Sequence, residues 1–249
     1  MNIDGQLGDG TTDSRTTPVE VLGITTATSV AIGAYESCAV LTNGKVMCWG
    51  ENEHGELGDG TTTSSSTPVE VSGITTATSI AVGRDHACAQ LTGGAVKCWG
   101  LNDEGQLGDG STTNSLTPKS VSGITTATSI AVGDDHSCAL LSDKTIKCWG
   151  SGSDLADGQI VDSSIPVLIS GITTATSIAT NFQDSCAVLT DGTVECWGFN
   201  MYGELGDGTT TPSFSTTVTV LGIMTAKSID LGSHHSCAVL IDGKVKCWG

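Results

Sequence analysis

Ser37-Cys-Ala-Val-Leu-Thr-Asn-Gly-Lys-Val-Met-Cys-Trp-Gly50 carries two cysteines ten residues apart and a tryptophan directly after the second. The pattern returns four more times, ending at Gly100, Gly150, Gly198 and Gly249. The copies are Cys38/Cys48/Trp49, Cys88/Cys98/Trp99, Cys138/Cys148/Trp149, Cys186/Cys196/Trp197 and Cys237/Cys247/Trp248, and they hold every cysteine and every tryptophan of the 249-residue chain. Second cysteines are separated by 50, 50, 48 and 51 residues. A fixed period of this length marks a repeat architecture, in which each unit buries its apolar face only against its neighbours.

Working outward from the quoted stretch, one unit contains a loop, Asn52-Glu-His-Gly-Glu-Leu-Gly-Asp-Gly60, and a Thr/Ser-rich run. Thr67-Pro-Val-Glu-Val71 follows, then Gly73-Ile-Thr-Thr-Ala-Thr-Ser-Ile-Ala-Val-Gly83 and the Cys–Trp stretch. The units are expected at about 1–50, 51–100, 101–150, 151–198 and 199–249, forming a single domain. Apolar residues alternate and no segment keeps a 3.6-residue period, so the chain reads as all-β. Four short strands per unit, punctuated by glycine, indicate the blades of a β-propeller. Proline in Thr67-Pro-Val-Glu-Val71 suits a strand start or a sheet edge, where no ladder donor is lost.

Thr42-Asn43-Gly44 suits a three-residue hairpin loop with glycine in the left-handed position. Counting outward from it sets Cys38 opposite Cys48 in a non-hydrogen-bonded pair, with Cα atoms about 4.5 Å apart and within disulfide reach. The same spacing in all five copies predicts the disulfides Cys38–Cys48, Cys88–Cys98, Cys138–Cys148, Cys186–Cys196 and Cys237–Cys247. Reduced cysteines acting as small core residues are the alternative. Zinc fits poorly because no Cys-x-x-Cys pair is present.

Gly-Gln-Leu-Gly, Thr-Pro-Val-Glu-Val, Ile-Ala-Val-Gly-x-x-His and Gly-x-Val-x-Cys-Trp-Gly together resemble the repeat of the regulator of chromosome condensation family, over the whole chain. The paired cysteines and Thr-rich loops are similar to repeats of exported bacterial proteins. The resemblance implies four-stranded blades and a ring closed by strands from the two termini, with Thr17-Pro-Val-Glu-Val21 as the outer strand of the blade built from residues 228–249. Familiar members have seven blades where this chain supplies five units. Closure implies a monomer, and an open array implies assembly between chains. Ser151-Gly-Ser-Asp-Leu-Ala-Asp-Gly158 is two residues short and lacks Gly-x-Leu-Gly, so an irregular connection is expected there.

The formal charge of −17, from 27 acidic and 10 basic residues, disfavours nucleic acid and anionic membranes as direct partners. No apolar run approaches the roughly 20 residues of a membrane-spanning helix. Met1-Asn-Ile-Asp is not a signal peptide, yet paired cysteines point to an oxidising compartment. The expected location is therefore extracellular or at the cell surface, the chain being a mature or excised piece of an exported protein. The family's founder is a chromatin-bound nucleotide-exchange factor. Its protruding wedge has no counterpart in so constant a period.

No Gly-x-Ser-x-Gly elbow, phosphate loop or His-Glu-x-x-His is present, so no catalysis and no cofactor are expected. The recurring Asp-Gly dipeptides read as turns rather than calcium loops. One repeat position, two before the first cysteine, carries Glu36, His86, His136, Asp184 and His235. In a closed ring these would encircle the axis, either as an axial metal or small-ligand site or as groups bonding the neighbouring blade. In a chain only 4% aromatic, Tyr35, Phe182, Phe199, Met201 and Tyr202 stand out as candidate contact loops. The expected role is a protein-binding or scaffold module. A lectin-like glycan-binding propeller and a building block that assembles between chains are the alternatives.

Overall fold

The structure is a computed structural model describing residues 1–249. It is all-β apart from a single 3-10 turn at Gly152–Asp154. The first sheet comprises β1 (Ala27–Ile32), β2 (Glu36–Leu41), β3 (Val46–Gly50) and β4 (Ser65–Glu70). The second comprises β5 (Ala77–Val82), β6 (His86–Leu91), β7 (Val96–Gly100) and β8 (Ser115–Ser120). The third runs through β9 (Ala127–Val132), β10 (His136–Leu141), β11 (Ile146–Gly150) and β12 (Ser163–Leu168). The fourth runs through β13 (Ala175–Thr180), β14 (Asp184–Leu189), β15 (Val194–Gly198) and β16 (Ser213–Thr219). The fifth has three strands only, β17 (Ala226–Gly232), β18 (His235–Leu240) and β19 (Val245–Trp248). Each sheet is an antiparallel meander in chain order, and each outer strand comes from the sequence unit after the one that supplies the other three.

The central hairpins have the register that the turn chemistry predicts. Cys38 faces Cys48, Leu41 N–H donates to Lys45 O, and Gly44 takes φ +76°. All five cysteine pairs are disulfide-bonded with Cα atoms 4.1 Å apart, and no cysteine is free. Five such bonds belong to an oxidising environment. In the third hairpin Lys144 occupies the left-handed position at φ +68°, where the other copies use glycine.

Packing is between blades. The first blade's Cys38, Val40, Val46 and Cys48 sit in one cluster with Leu57, Val71, Ile74, Ile80, Ala87 and Trp99 of the next. The same arrangement recurs down the chain. Trp99, Trp149, Trp197 and Trp248 pack into such clusters, and every tryptophan donates Nε1–H, over 2.7–2.9 Å, to a carbonyl of the loop 43 or 44 residues earlier: Gln6, Glu56, Gln106, Asp154 or Glu204. A buried asparagine folds that loop. Asn52 Oδ1 accepts from Leu57 N–H while its Nδ2 donates to the Thr61 and Thr63 carbonyls, and Asn2, Asn102 and Asn200 do the same in their loops. The short loop at 151–158 lacks the asparagine. Its 3-10 turn still delivers Leu155 to the core and the Asp154 carbonyl to Trp197, and Asp162 accepts from Gly152 N–H instead.

Closure of the ring is corrected by the structure. Thr17–Val21 forms no strand, and β19 pairs only with β18. The segment lies instead against the first blade, lining a hollow with Val30, Ile32 and Trp49. Adjacent inner strands pack all along the series from β1 to β17, whereas β1 and β17 make no comparable contact. Accordingly Val30 is 65% exposed where its counterpart Ile80 is 8% exposed, and Val245 is 59% exposed where Val46 is fully buried. Cys247 is exposed while the cysteines of the first four hairpins are buried.

Two equivalent leucines test this difference. Leu107→Ala, in an interior cluster, is expected to cost about 2–5 kcal/mol in urea unfolding through transfer loss and a residual cavity. Leu7→Ala, at the open end where the leucine is only partly buried, is expected to cost less than half as much. Equal losses at the two sites would contradict an open first blade.

Candidate functional site

The repeat position two before the first cysteine opens each β2-type strand. Glu36, His86, His136 and Asp184 are buried there, while His235 at the open end is exposed. The two buried histidines reach across to the next blade. His86 Nε2 lies 2.8 Å from Ser137 Oγ, and His136 Nε2 lies 2.9 Å from Ser185 Oγ. Ser137 gives its own hydrogen to the Gln106 carbonyl at 3.0 Å, so His86 is the donor in its pair and carries the Nε2–H tautomer. Burial pushes His86 down to about 3, with His136 adding to the effect, and pushes His136 down to about 4. Both rings are neutral at pH 7.

At the repeat position of Ser137 and Ser185 the second blade has Ala87, which offers Glu36 no hydroxyl. Its Oε1 is buried without a partner, and burial, then the charge of Glu56, hold it well above the usual carboxylate range. The four buried residues thus lie in successive blades with His235 exposed at the open end, and no three His, Cys, Asp or Glu side chains converge where a metal ion would be held. The Asp-Gly turns use their carboxylates locally: Asp59 Oδ1 accepts from Thr61 N–H, and Asp9, Asp109 and Asp207 accept in the same way.

Close approach at the axis depends on glycine. A Cβ on Gly33 would overlap the Gly83 carbonyl, one on Gly83 the Gly133 carbonyl, and one on Gly133 the Asn181 carbonyl. The ends of the inner strands enclose an axial hollow of about 470 Å3, lined by residues of all five repeats, among them Ile32, Arg84, Val132, Asp134 and Phe182. Burial, then the neighbouring Asp135, raise Asp134 to about 6.

Phe182 also borders a second hollow, of about 150 Å3, between the fourth and fifth sheets. Four of the five contact-loop residues meet here, since Phe199, Met201 and Tyr202 line it with Phe182. Tyr35 lies apart in the first repeat. Asp184 and Glu204, both nearly fully buried, line it too, together with His234. Local rules explain the geometry. Asn181 stands where other repeats have glycine; its Nδ2 bridges to the Gly232 carbonyl at 2.7 Å and its Oδ1 accepts from Asp184 N–H at 2.8 Å.

Asp184 Oδ1 in turn accepts from Phe199 N–H at 2.7 Å, and Asn200 beyond it takes φ +58°. Glu204 Oε2 accepts from Tyr202 N–H at 2.7 Å, and its Oε1 lies 3.8 Å from His234 Nδ1. Tyr202 packs on His234 with ring centroids 4.9 Å apart, and Phe199 is backed by Phe214 on β16 at 6.0 Å. Burial raises the Asp184 pKa. Sequence reading missed Glu204 because it occupies the same repeat position as Gln6, Glu56 and Gln106, whose visible role is loop structure.

The model of the RCC1-like domain matches residues 1–249. The chain belongs to the RCC1-like domain family. Among solved structures, human WBSCR16 superposes with a TM-score of 0.83 at 21% identity, over 100% of this chain and 69% of that one. Yeast RCC1 (Prp20) bound to Kap60 gives 0.74 at 24% identity, over 90% of this chain and 56% of that one. Prp20p from Saccharomyces cerevisiae, studied for its binding to Gsp1p and histones, gives 0.73 at 26% identity, over 90% and 58%. This RCC1-like chain therefore spans little more than half the length of the yeast proteins. No curated protein matches it in sequence.

One buried carboxyl gives this RCC1-like fold a distinct pH response. Asp154 is raised to about 8, first by burial and then by the charges of Asp135 and Asp184. A carboxyl whose folded pKa is raised stabilises the fold at low pH and loses that contribution as pH rises towards the folded value. Asp154→Asn removes the term. From pH 6.5 to 8, its stability relative to wild type is expected to rise by about 1–2 kcal/mol in urea unfolding. A difference that stays constant over that range would contradict the assignment.

Proposed function

We propose that this chain is an exported, disulfide-braced propeller module that recognises a protein through loops at the ends of its blades, without catalysis. One observation carries the reading. The framework of disulfide, tryptophan and asparagine is repeated nearly unchanged, whereas Phe182, Phe199, Met201 and Tyr202 depart from the other copies and gather around one hollow. Phe182, Met201 and Tyr202 are each about half exposed, as contact anchors are. The protein partners of yeast RCC1 favour the same class of role for this relative. The tryptophans, which a glycan site would need at the surface, are mostly buried. Five disulfides favour an extracellular or cell-surface location.

The test is affinity capture from culture medium and cell envelope of the source organism, comparing wild type with Phe182→Ala/Phe199→Ala/Tyr202→Ala. A protein held by wild type and lost from the triple variant is expected. Identical captured sets, or none, would overturn the reading.

The open ends favour a second role, assembly between chains. The face around Val30 and Ile32 and the face around Val239 and Val245 are the two halves of the interface that every interior blade completes. Sedimentation at rising concentration is expected to show species beyond the 25.2 kDa monomer. A monomer at all concentrations would exclude this role.

A further inference from the structure

We propose that the hollow between the fourth and fifth blades binds an alkylammonium group, the head of a lysine side chain or its N-methylated form, presented by a partner protein. The proposal rests on the protein-recognition reading and names the chemistry at that site. The walls are aromatic: Phe182, Phe199 and Tyr202, with the imidazole of His234 tilted at 58° against Tyr202. An aromatic face attracts a cation through its quadrupole, and the attraction strengthens where water is displaced. The same hollow is lined by two buried carboxylates, Asp184 and Glu204.

Their geometry is fixed by backbone donors. Phe199 N–H holds Asp184 and Tyr202 N–H holds Glu204, so each carboxylate is fixed by the backbone of a residue whose ring lines the hollow. Each Coulomb term is larger in this half-buried setting than at the open surface. No lysine or arginine lines the hollow to neutralise them, and the chain as a whole carries −17.

Shape agrees with charge. About 150 Å3 is the size of site that admits a benzene-sized guest, which suits a trimethylammonium head. Met201 supplies a polarisable thioether to the alkyl stem of the guest. Arginine-rich and phosphate-bearing partners are disfavoured, the first by the small volume and the second by the carboxylates.

The other blades show what makes this site particular. At the Phe182 position they carry Ala34, Arg84, Asp134 and Ser233, and at the Tyr202 position Asp4, His54 and Glu104. Only the fourth-to-fifth junction carries a benzene ring at both positions.

The test is amide-resolved NMR titration of the whole chain with choline, N-acetyl-lysine methylamide and N-acetyl-trimethyllysine methylamide. 3,3-Dimethylbutan-1-ol serves as the neutral isostere of choline, and a methyl galactoside as the glycan control. Saturable shifts at Phe182, Phe199, Tyr202 and His234 are expected with the cations and not with the neutral isostere. Tyr202→Ala is expected to weaken binding by roughly threefold to tenfold, and Tyr202→Phe to leave it nearly unchanged. The trimethyllysine and lysine arms separate methylated from unmodified partners. Equal shifts with the neutral isostere, shifts with the galactoside alone, or none at all would overturn the proposal. A partner captured through these loops but not displaced by choline would sink this inference alone. Choline binding with no captured protein would sink the protein-recognition reading and leave the cation site standing.

Discussion

Everything in this fold depends on one contact made between blades. A hairpin bonded across its centre by a disulfide presents a flat apolar face, and the next blade seats a tryptophan, a loop leucine and an inner-strand isoleucine against it. The tryptophan binds the loop that carries the leucine through Nε1–H, so ring and loop move as one unit. No blade has a core of its own. Stability is therefore the sum of the interfaces, as in other repeat proteins, and each disulfide rigidifies the element that both neighbours share. At the axis the same dependence appears as a demand for glycine, because successive backbones approach too closely for a Cβ.

The same contact explains the open ends. A closed ring satisfies every face, whereas here the first blade lacks the hairpin that should cover Val30 and the last lacks the blade that should cover Val245. β19 also leaves its outer edge unpaired. Unpaired strand edges and uncovered apolar faces are sites of association.

Much of this was legible in the sequence. The ten-residue cysteine spacing and the hairpin turn fixed which residues face one another, because β pairing alternates strictly with register. Closure was not legible, since it depends on the angle between neighbouring sheets, a sum of small packing differences that no single motif encodes. Thr17–Val21 has the right sequence for an outer strand and lacks only a partner within reach. The buried histidines were recognisable as a set, but their serine partners lie 49 and 51 residues away. The hollow was half legible: its rings stood out by rarity, while Glu204 and Asn181 were hidden among loop residues with ordinary roles.

Function in such a molecule resides in departures from the repeat. The framework positions loops, and the fourth and fifth repeats replace small and polar residues with rings over fixed carboxylates. The account of the framework requires the arc to be open and its interior interfaces to be alike. Amide hydrogen exchange resolved to single residues measures this most directly. The account predicts slow exchange in β3, β7, β11 and β15 and fast exchange along the outer edge of β19 and through residues 17–21. Equal protection of β19 and residues 17–21 with the interior strands would show a closed ring and contradict it.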